Sequence, residues 1–406
     1  MTIRILEGDC RLVMRTLDDA SVDAIVTDPP YGLTNNGGGP SAANDTPQSR
    51  ARAGAARGGF MGMAWDSDVP PVEVWAECLR VLKPGGYLLA FAGTRTHHRM
   101  CTRIEDAGFE IRDMIAWLYG SGFPKSYNGA WGGTALKPAL EPITVARKPL
   151  IGTVEANWRL FGTGALNVDA CRVWTDDQPK GGSSSRGATW TASGMHADGA
   201  NSRSVTPPEG RWPANLIHDG SEEVLAAFPE APGQKADACT DSSGRKTQQV
   251  YGAMKRGRSG EPSADSGNDG NVGFKLKPGA RRIDAGTAAR FFYCAKADRA
   301  DRNAGLHDPG PQFKKGSTLR DAENVGRARK GNFHPTVKPT DLMRYLCRLV
   351  TPAGGVVLDP FMGSGSTLKA AELEGFSAIG IEWDGSYVEL ARSRIAADMP
   401  LFKEFA

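Results

Sequence analysis

Apolar runs of strand length alternate with helix-spaced runs at both ends of this chain but not in its middle, and that pattern constrains the fold before any motif is considered. "IRIL" (3–6), "VDAIVT" (22–27) and "YLLAFA" (87–92) read as strands, with helical spacing between them at 10–17 and 71–83. Residues 94–109 read as a helix and turn, and 110–119 with 141–149 as a strand pair. The last quarter repeats the alternation, with helices at 341–350, 366–375 and 386–395 and strands at 355–361 and 377–384. Strands joined through helices run parallel. The expected fold is therefore α/β, with one doubly wound, mostly parallel sheet built from both termini. Residues 1–160 and 331–406 form the two halves of that domain, and 161–330 form a loop-rich insert.

The insert is rich in Gly, Ser, Pro and Asn, with short apolar islands such as "ALNVDACRVW" and "RFFYCAK". Charge is uneven. Between Arg245 and Lys330 there are 19 Lys/Arg against 9 Asp/Glu, while the rest of the chain carries 30 against 37. Such a stretch is either solvated surface or an electrostatic footprint for nucleic acid. No apolar run approaches the ~20 residues that span a bilayer, and the N-terminus lacks signal-peptide anatomy, so no membrane is expected. Seven cysteines without a CxxC pair favour reduced thiols and a cytoplasmic location, with no zinc site or disulfide frame. The six histidines show no metal spacing, and no metal is expected.

"LDPFMGSGST" (358–367) lies between a predicted strand and a predicted helix. Gly363 and Gly365 permit a tight turn that brings backbone close to a ligand, with Asp359, Phe361, Ser366 and Thr367 around it. Glu382 closes the next strand, where a carboxylate can accept both hydroxyls of a ribose. No Lys follows the glycines and the GxGxxG pattern is incomplete, which disfavours a phosphate loop and a dinucleotide.

Asp28-Pro29-Pro30-Tyr31 follows the strand 22–27 directly. An exocyclic amine on a nucleobase is a poor nucleophile, because its lone pair is delocalised into the ring. The Asp28 carboxylate and the Pro29 carbonyl can each accept one N–H, drawing the nitrogen toward tetrahedral geometry. The prolines hold these acceptors in place, and Tyr31 offers a ring for stacking. Attack through a ring carbon would need a Cys nucleophile, typically in a Pro-Cys pair, and the chain has no such pair. The base must leave the duplex to reach this pocket. A Gly-rich segment follows from Gly32 to about Ala64 with Arg50, Arg52 and Arg57, and is either a closing loop or plain surface.

"TDPPYG" (27–32), a variable middle, "HPTVKP" (334–339) and "LDPFMGSGST", in that order, resemble the circularly permuted beta group of DNA amino-methyltransferases. The resemblance covers roughly 1–150 and 330–397 and implies a Rossmann-like fold dependent on S-adenosylmethionine (AdoMet). It implies that Asp9 contacts the adenine amine of AdoMet, although Asp9 also suits a helix N-cap. It implies that Thr336 and Lys338 hold the methionine carboxylate and that Phe361 lines the cofactor pocket. Asp at the first position of the tetrapeptide implies N6 of adenine as the target, with N4 of cytosine as the alternative. The insert becomes the target-recognition region on double-stranded DNA, with Trp190, Trp212, Tyr251 and Arg282 as candidate readers. A homodimer on a palindromic site is the expected assembly, in a stand-alone enzyme of a restriction system or an orphan. An RNA or small-molecule methyltransferase and a non-catalytic DNA-binding protein remain rival readings. The permuted order and basic insert speak against the first, and the intact Asp28, Tyr31 and glycines against the second.

Overall fold

The computed structural model describes residues 1–33, 68–122, 130–133, 135–175, 189–191, 194–196, 210–231, 286–295, 299–304, 306, 332, 334 and 336–396. Arg50, Arg52, Arg57, Tyr251, Arg282 and most of the basic stretch lie outside the described residues.

Among the described residues one nine-stranded sheet dominates. Its order is β1 (Ile3–Glu7), β11 (Ser377–Glu382), β10 (Val356–Asp359), β2 (Val22–Thr27), β3 (Leu82–Phe91), β5 (Leu140–Arg147), β4 (Glu110–Leu118), β8 (Leu216–His218) and β9 (Tyr293–Cys294). All neighbours are parallel except β3–β5 and β5–β4. The first five strands in this order come from opposite ends of the chain, as the alternating pattern predicts. The third and fourth strands in this order, β10 and β2, place Leu358 opposite Ile25. The loops that follow them therefore emerge side by side, at the carboxyl edge where open α/β sheets bind ligands.

β2 is buried along its whole length, so it reads as an unbroken apolar run except for Asp23 and Thr27. Alternate side chains feed two cores: Ala24, Val26, Leu89 and Phe91 face one layer, and Ile25, Leu88 and Ala90 the other. Helix α2 (Val72–Val81) covers the second face with Val74, Trp75, Cys78 and Val81, joined by α3 (His97–Asp106) through Met100 and Ile104. Helix α7 (Thr340–Val350) covers the first with Leu342, Met343, Leu346 and Leu349. Each such aliphatic side chain, fully buried, contributes roughly 1.5–3 kcal/mol. Pro339 precedes α7 and offers no side-chain cap. The Asp301 carboxylate accepts the Thr340 N–H at 2.7 Å in its place, and so anchors the segment containing Lys338.

Contacts divide the chain into two compact units: Met1–Cys171, Pro213–Ala226 and Phe292–Ala406, and then Arg172–Trp212 with Ala227–Phe291. This differs from an insert spanning 161–330. β8 and β9 lie inside that range yet extend the sheet in parallel beyond β4. Two or three residues are too few for periodicity to mark a strand. Other differences are local. The first helix, α1 (Cys10–Met14), ends before residue 17, and β3 starts at Leu82, so that Pro84-Gly85-Gly86 lies within a strand and Gly85 has φ +76°. The second unit contains a short hairpin, β6 (Thr189–Thr191) with β7 (Gly194–His196), and the Arg172 guanidinium lies 5.3 Å over the ring of Trp212.

Candidate active site

The tetrapeptide and the glycine turn are joined at their base by one buried carboxylate. Asp359, at the end of β10, accepts the Thr27 hydroxyl at 2.6 Å and the Thr367 hydroxyl at 2.5 Å, and its Oδ1 also accepts the Phe361 N–H at 3.1 Å. It therefore ties the end of β2, the glycine turn and the first turn of α8 (Ser366–Leu373) together. Burial pushes its pKa up to about 6, against the opposing effect of the three donors. The folded value lies above the unfolded one, so the folded chain holds this proton more tightly. The resulting stability is present below about pH 4 and is lost as pH rises to about 6. Relative to Asp359→Asn, wild type should lose roughly 3 kcal/mol at most between pH 4 and pH 7 in denaturant unfolding. A difference that stays flat across that range would contradict the assignment.

The glycine turn is shaped for close approach. Gly363 has φ +52°, and a Cβ there would sit 2.7 Å from the buried His334 ring. That ring is itself packed edge-on against Tyr387, and burial pulls its pKa down to about 4, so it is neutral. Gly365 has φ +80° and caps α8 from the far side of the turn, against Ala391. Arg394 is fully buried and donates to the Ser364 carbonyl at 2.6 Å and to the hydroxyls of Ser364 and Ser366. The Glu382 carboxylate closes the loop, accepting the Gly363 N–H at 2.8 Å and the Asp384 N–H at 2.9 Å; burial raises its pKa.

Asp28 belongs to a cluster of four polar groups. Its Oδ1 accepts the Tyr31 hydroxyl at 2.7 Å and its Oδ2 accepts the Lys338 ammonium at 2.6 Å. Glu141, at the start of β5, lies 3.0 Å from the Tyr31 hydroxyl and 3.3 Å from the Lys338 ammonium. Burial would lower the Lys338 pKa, but the Asp28 and Glu141 carboxylates outweigh it and hold that pKa above the usual lysine value. Burial, together with the same two carboxylates, pushes the Tyr31 phenol well above its ordinary range. Lys338 is thus no ordinary surface lysine.

One cleft of about 1860 Å³ contains Asp9, Asp28, Pro29, Pro30, Tyr31, Thr336, Lys338, Asp359, Phe361, Gly363, Ser366, Thr367 and Glu382. Gly365 is not among its lining residues. Asp9 caps α1 through the Arg11 N–H, and its carboxylate also pairs with the Arg11 guanidinium, which lowers its pKa. The sequence reading did not include Glu141 or Trp383 in the site. Trp383 lines the cleft beside Glu382 and is 73% exposed, an unusual position for so large an apolar ring. Its place next to the strand-closing acid was the available signal; Glu141 had none, since one carboxylate at a strand start is unremarkable. Among the described residues no group of three His, Cys, Asp or Glu is placed to hold a metal, and no helix is long and apolar enough to cross a membrane.

The Asp-Pro-Pro-Tyr segment and a glycine turn with an acidic partner thus lie at adjacent carboxyl ends of a parallel sheet, where such folds bind their ligands. A family model described as DNA methylase, of the N6/N4 type, matches residues 22–393. The chain belongs to this family of DNA methyltransferases, which use AdoMet as the methyl donor. The type II methyltransferase M.HindIII of Haemophilus influenzae is 28% identical over 211 residues, covering 43% of this chain and 68% of that protein. M2.DpnII of Streptococcus pneumoniae is 30% identical over 112 residues, 27% of this chain and 42% of its own length. Among solved structures, the SAM complex of M1.HpyAVI aligns at 15% identity and TM-score 0.38, over 97% of this chain and 98% of that one. The PvuII cytosine-N4-specific DNA methyltransferase aligns at 13% identity and TM-score 0.44, over 100% and 89%.

Proposed function

We propose that this enzyme methylates N6 of an adenine flipped out of double-stranded DNA. The observation that carries this reading is that Asp28 and Pro29 line one cleft together with the glycine turn. The cleft exceeds the ~300–1,000 Å³ of an ordinary ligand pocket, so it has room for a cofactor and a base together.

The residues fit AdoMet. Gly363 and its acidic partner Glu382 both line the cleft, and no phosphate-binding lysine follows the turn. Glu382 would accept the ribose hydroxyls, since each of its oxygens retains a lone pair beyond the bond it accepts. Phe361 and Trp383 would flank the adenine ring, and Asp9 would meet its amine. Thr336 and Lys338 would take the methionine carboxylate, with Lys338 giving that group the N–H now directed at the Tyr31 oxygen and keeping its contacts to Asp28 and Glu141. AdoMet supplies an electrophilic methyl on a sulfonium. Asp28 and Pro29 accept the two amine hydrogens of the target base, and Tyr31 stacks on its ring. As the amine takes up that methyl, the Asp28 carboxylate would receive the displaced N–H proton.

Adenine is proposed over cytosine because the family resemblance associates Asp at the first position of the tetrapeptide with adenine N6. The second unit and the basic stretch are proposed to contact phosphates and read base edges. A homodimer acting in the cytoplasm completes the reading. DNA from cells expressing the chain, digested to nucleosides and chromatographed, should contain N6-methyladenine absent from control cells. N4-methylcytosine in its place would transfer the assignment to cytosine.

A further inference from the structure

Glu141 stands at the first turn of contacts around Asp28, and nothing in the proposed reaction yet uses it. Its backbone is fixed on both sides: β5 pairs Glu141 with Trp117 of β4, and the next residue's carbonyl accepts the Ala92 N–H at 3.0 Å. Its side chain is 21% exposed, so it is held rather than solvated.

Counting hydrogens in the cluster shows what it can do. The Lys338 ammonium has three donors and three acceptors around it: Asp28 Oδ2 at 2.6 Å, Tyr31 Oη at 3.2 Å and Glu141 Oε2 at 3.3 Å. The Tyr31 hydroxyl has one hydrogen and two carboxylates within reach, Asp28 Oδ1 at 2.7 Å and Glu141 Oε2 at 3.0 Å. In this structure both oxygens of Asp28 already accept a bond. Each Asp28 oxygen keeps a second lone pair, but Oδ1 is a weaker acceptor for a target N–H while it also holds the Tyr31 hydroxyl, and that hydroxyl has a second acceptor close by.

We propose that Glu141 is a positioning residue for methyl transfer, serving as the alternative acceptor to which the Tyr31 hydroxyl turns when Asp28 Oδ1 receives the target N–H. This rests on the reading of Asp28 as the amine acceptor. The turn is a rotation about one C–O bond and costs no net hydrogen bond. Without Glu141, releasing Asp28 leaves a part-buried hydroxyl without its carboxylate acceptor. Lys338 stays between the two carboxylates throughout and keeps them from repelling each other.

The test is a double-mutant cycle read by single-turnover methylation at saturating AdoMet and DNA. Wild-type methylation of DNA in the same assay is the control, and its absence would count against the functional reading rather than against Glu141. Glu141→Met removes the acceptor and should slow the step about 10- to 100-fold with DNA affinity unchanged. Glu141→Gln keeps an acceptor oxygen and should stay within about threefold of wild type. Tyr31→Phe keeps the stacking ring but has no hydroxyl to redirect, so adding Glu141→Met to it should cost no more than about threefold. The proposal is overturned if Glu141→Met runs at the wild-type rate, if Glu141→Gln is as slow as Glu141→Met, or if the Met and Phe penalties multiply. The Tyr31→Phe background carries the comparison even if Glu141→Met is destabilised, because both members of that pair then share the same fold defect.

Discussion

Asp28→Ala should bind AdoMet within about threefold of wild type and methylate DNA at least about 10³-fold more slowly. Removing one preorganised acceptor or donor at the reacting atom costs on the order of 10²–10³ in rate, and this change also removes the group that receives the proton. The fold should survive, because Lys338 keeps its contact with Glu141 and is not left as a lone buried cation. Asp28→Asn retains an acceptor oxygen without the charge and should fall between the two. Isothermal titration with AdoMet and single-turnover methylation measure the two halves separately. Near-normal methylation by Asp28→Ala would remove the tetrapeptide from the chemistry.

Asp359→Ala should act through architecture instead. It leaves the hydroxyls of Thr27 and Thr367 and the Phe361 N–H without their shared acceptor, in a site that is 2% exposed. Each stranded group costs about 1–3 kcal/mol, partly offset because a carboxylate that resists ionisation is removed with them. A net loss of about 2–4 kcal/mol in stability is expected, with AdoMet affinity at least about tenfold weaker because the glycine turn loses its anchor. Denaturant unfolding and titration with AdoMet check these separately. Unchanged values for both would show that the turn is held without Asp359.

The sheet and the placement of the two motifs at neighbouring strand ends were legible in the sequence because each depends on local signals. Val22–Thr27 and Val356–Asp359 are apolar runs that end in Asp-Pro, and the turns that follow use residues chosen for backbone geometry. That these two strands are neighbours follows from the fold class and the motif order. The partners of the site residues were less legible. Glu141 reaches Tyr31 across 110 positions, and Lys338 reaches Asp28 across 310. No periodicity or spacing records such contacts. Asp359 was read as a ligand contact, yet its oxygens are committed to Thr27, Thr367 and Phe361. A sequence marks a carboxylate at a strand end, but only packing decides whether it faces the cleft or braces it. β8 and β9 were missed for a different reason: a strand of two or three residues, such as Tyr293–Cys294, is stabilised by its neighbour rather than by its own pattern.

The most direct test of the account is transfer of label from methyl-tritiated AdoMet to duplex DNA by the purified chain, run beside Asp28→Ala and followed by nucleoside analysis. The account predicts label in N6-methyladenine with wild type and essentially none with Asp28→Ala. Label on a ring carbon, or equal label with both proteins, would contradict it.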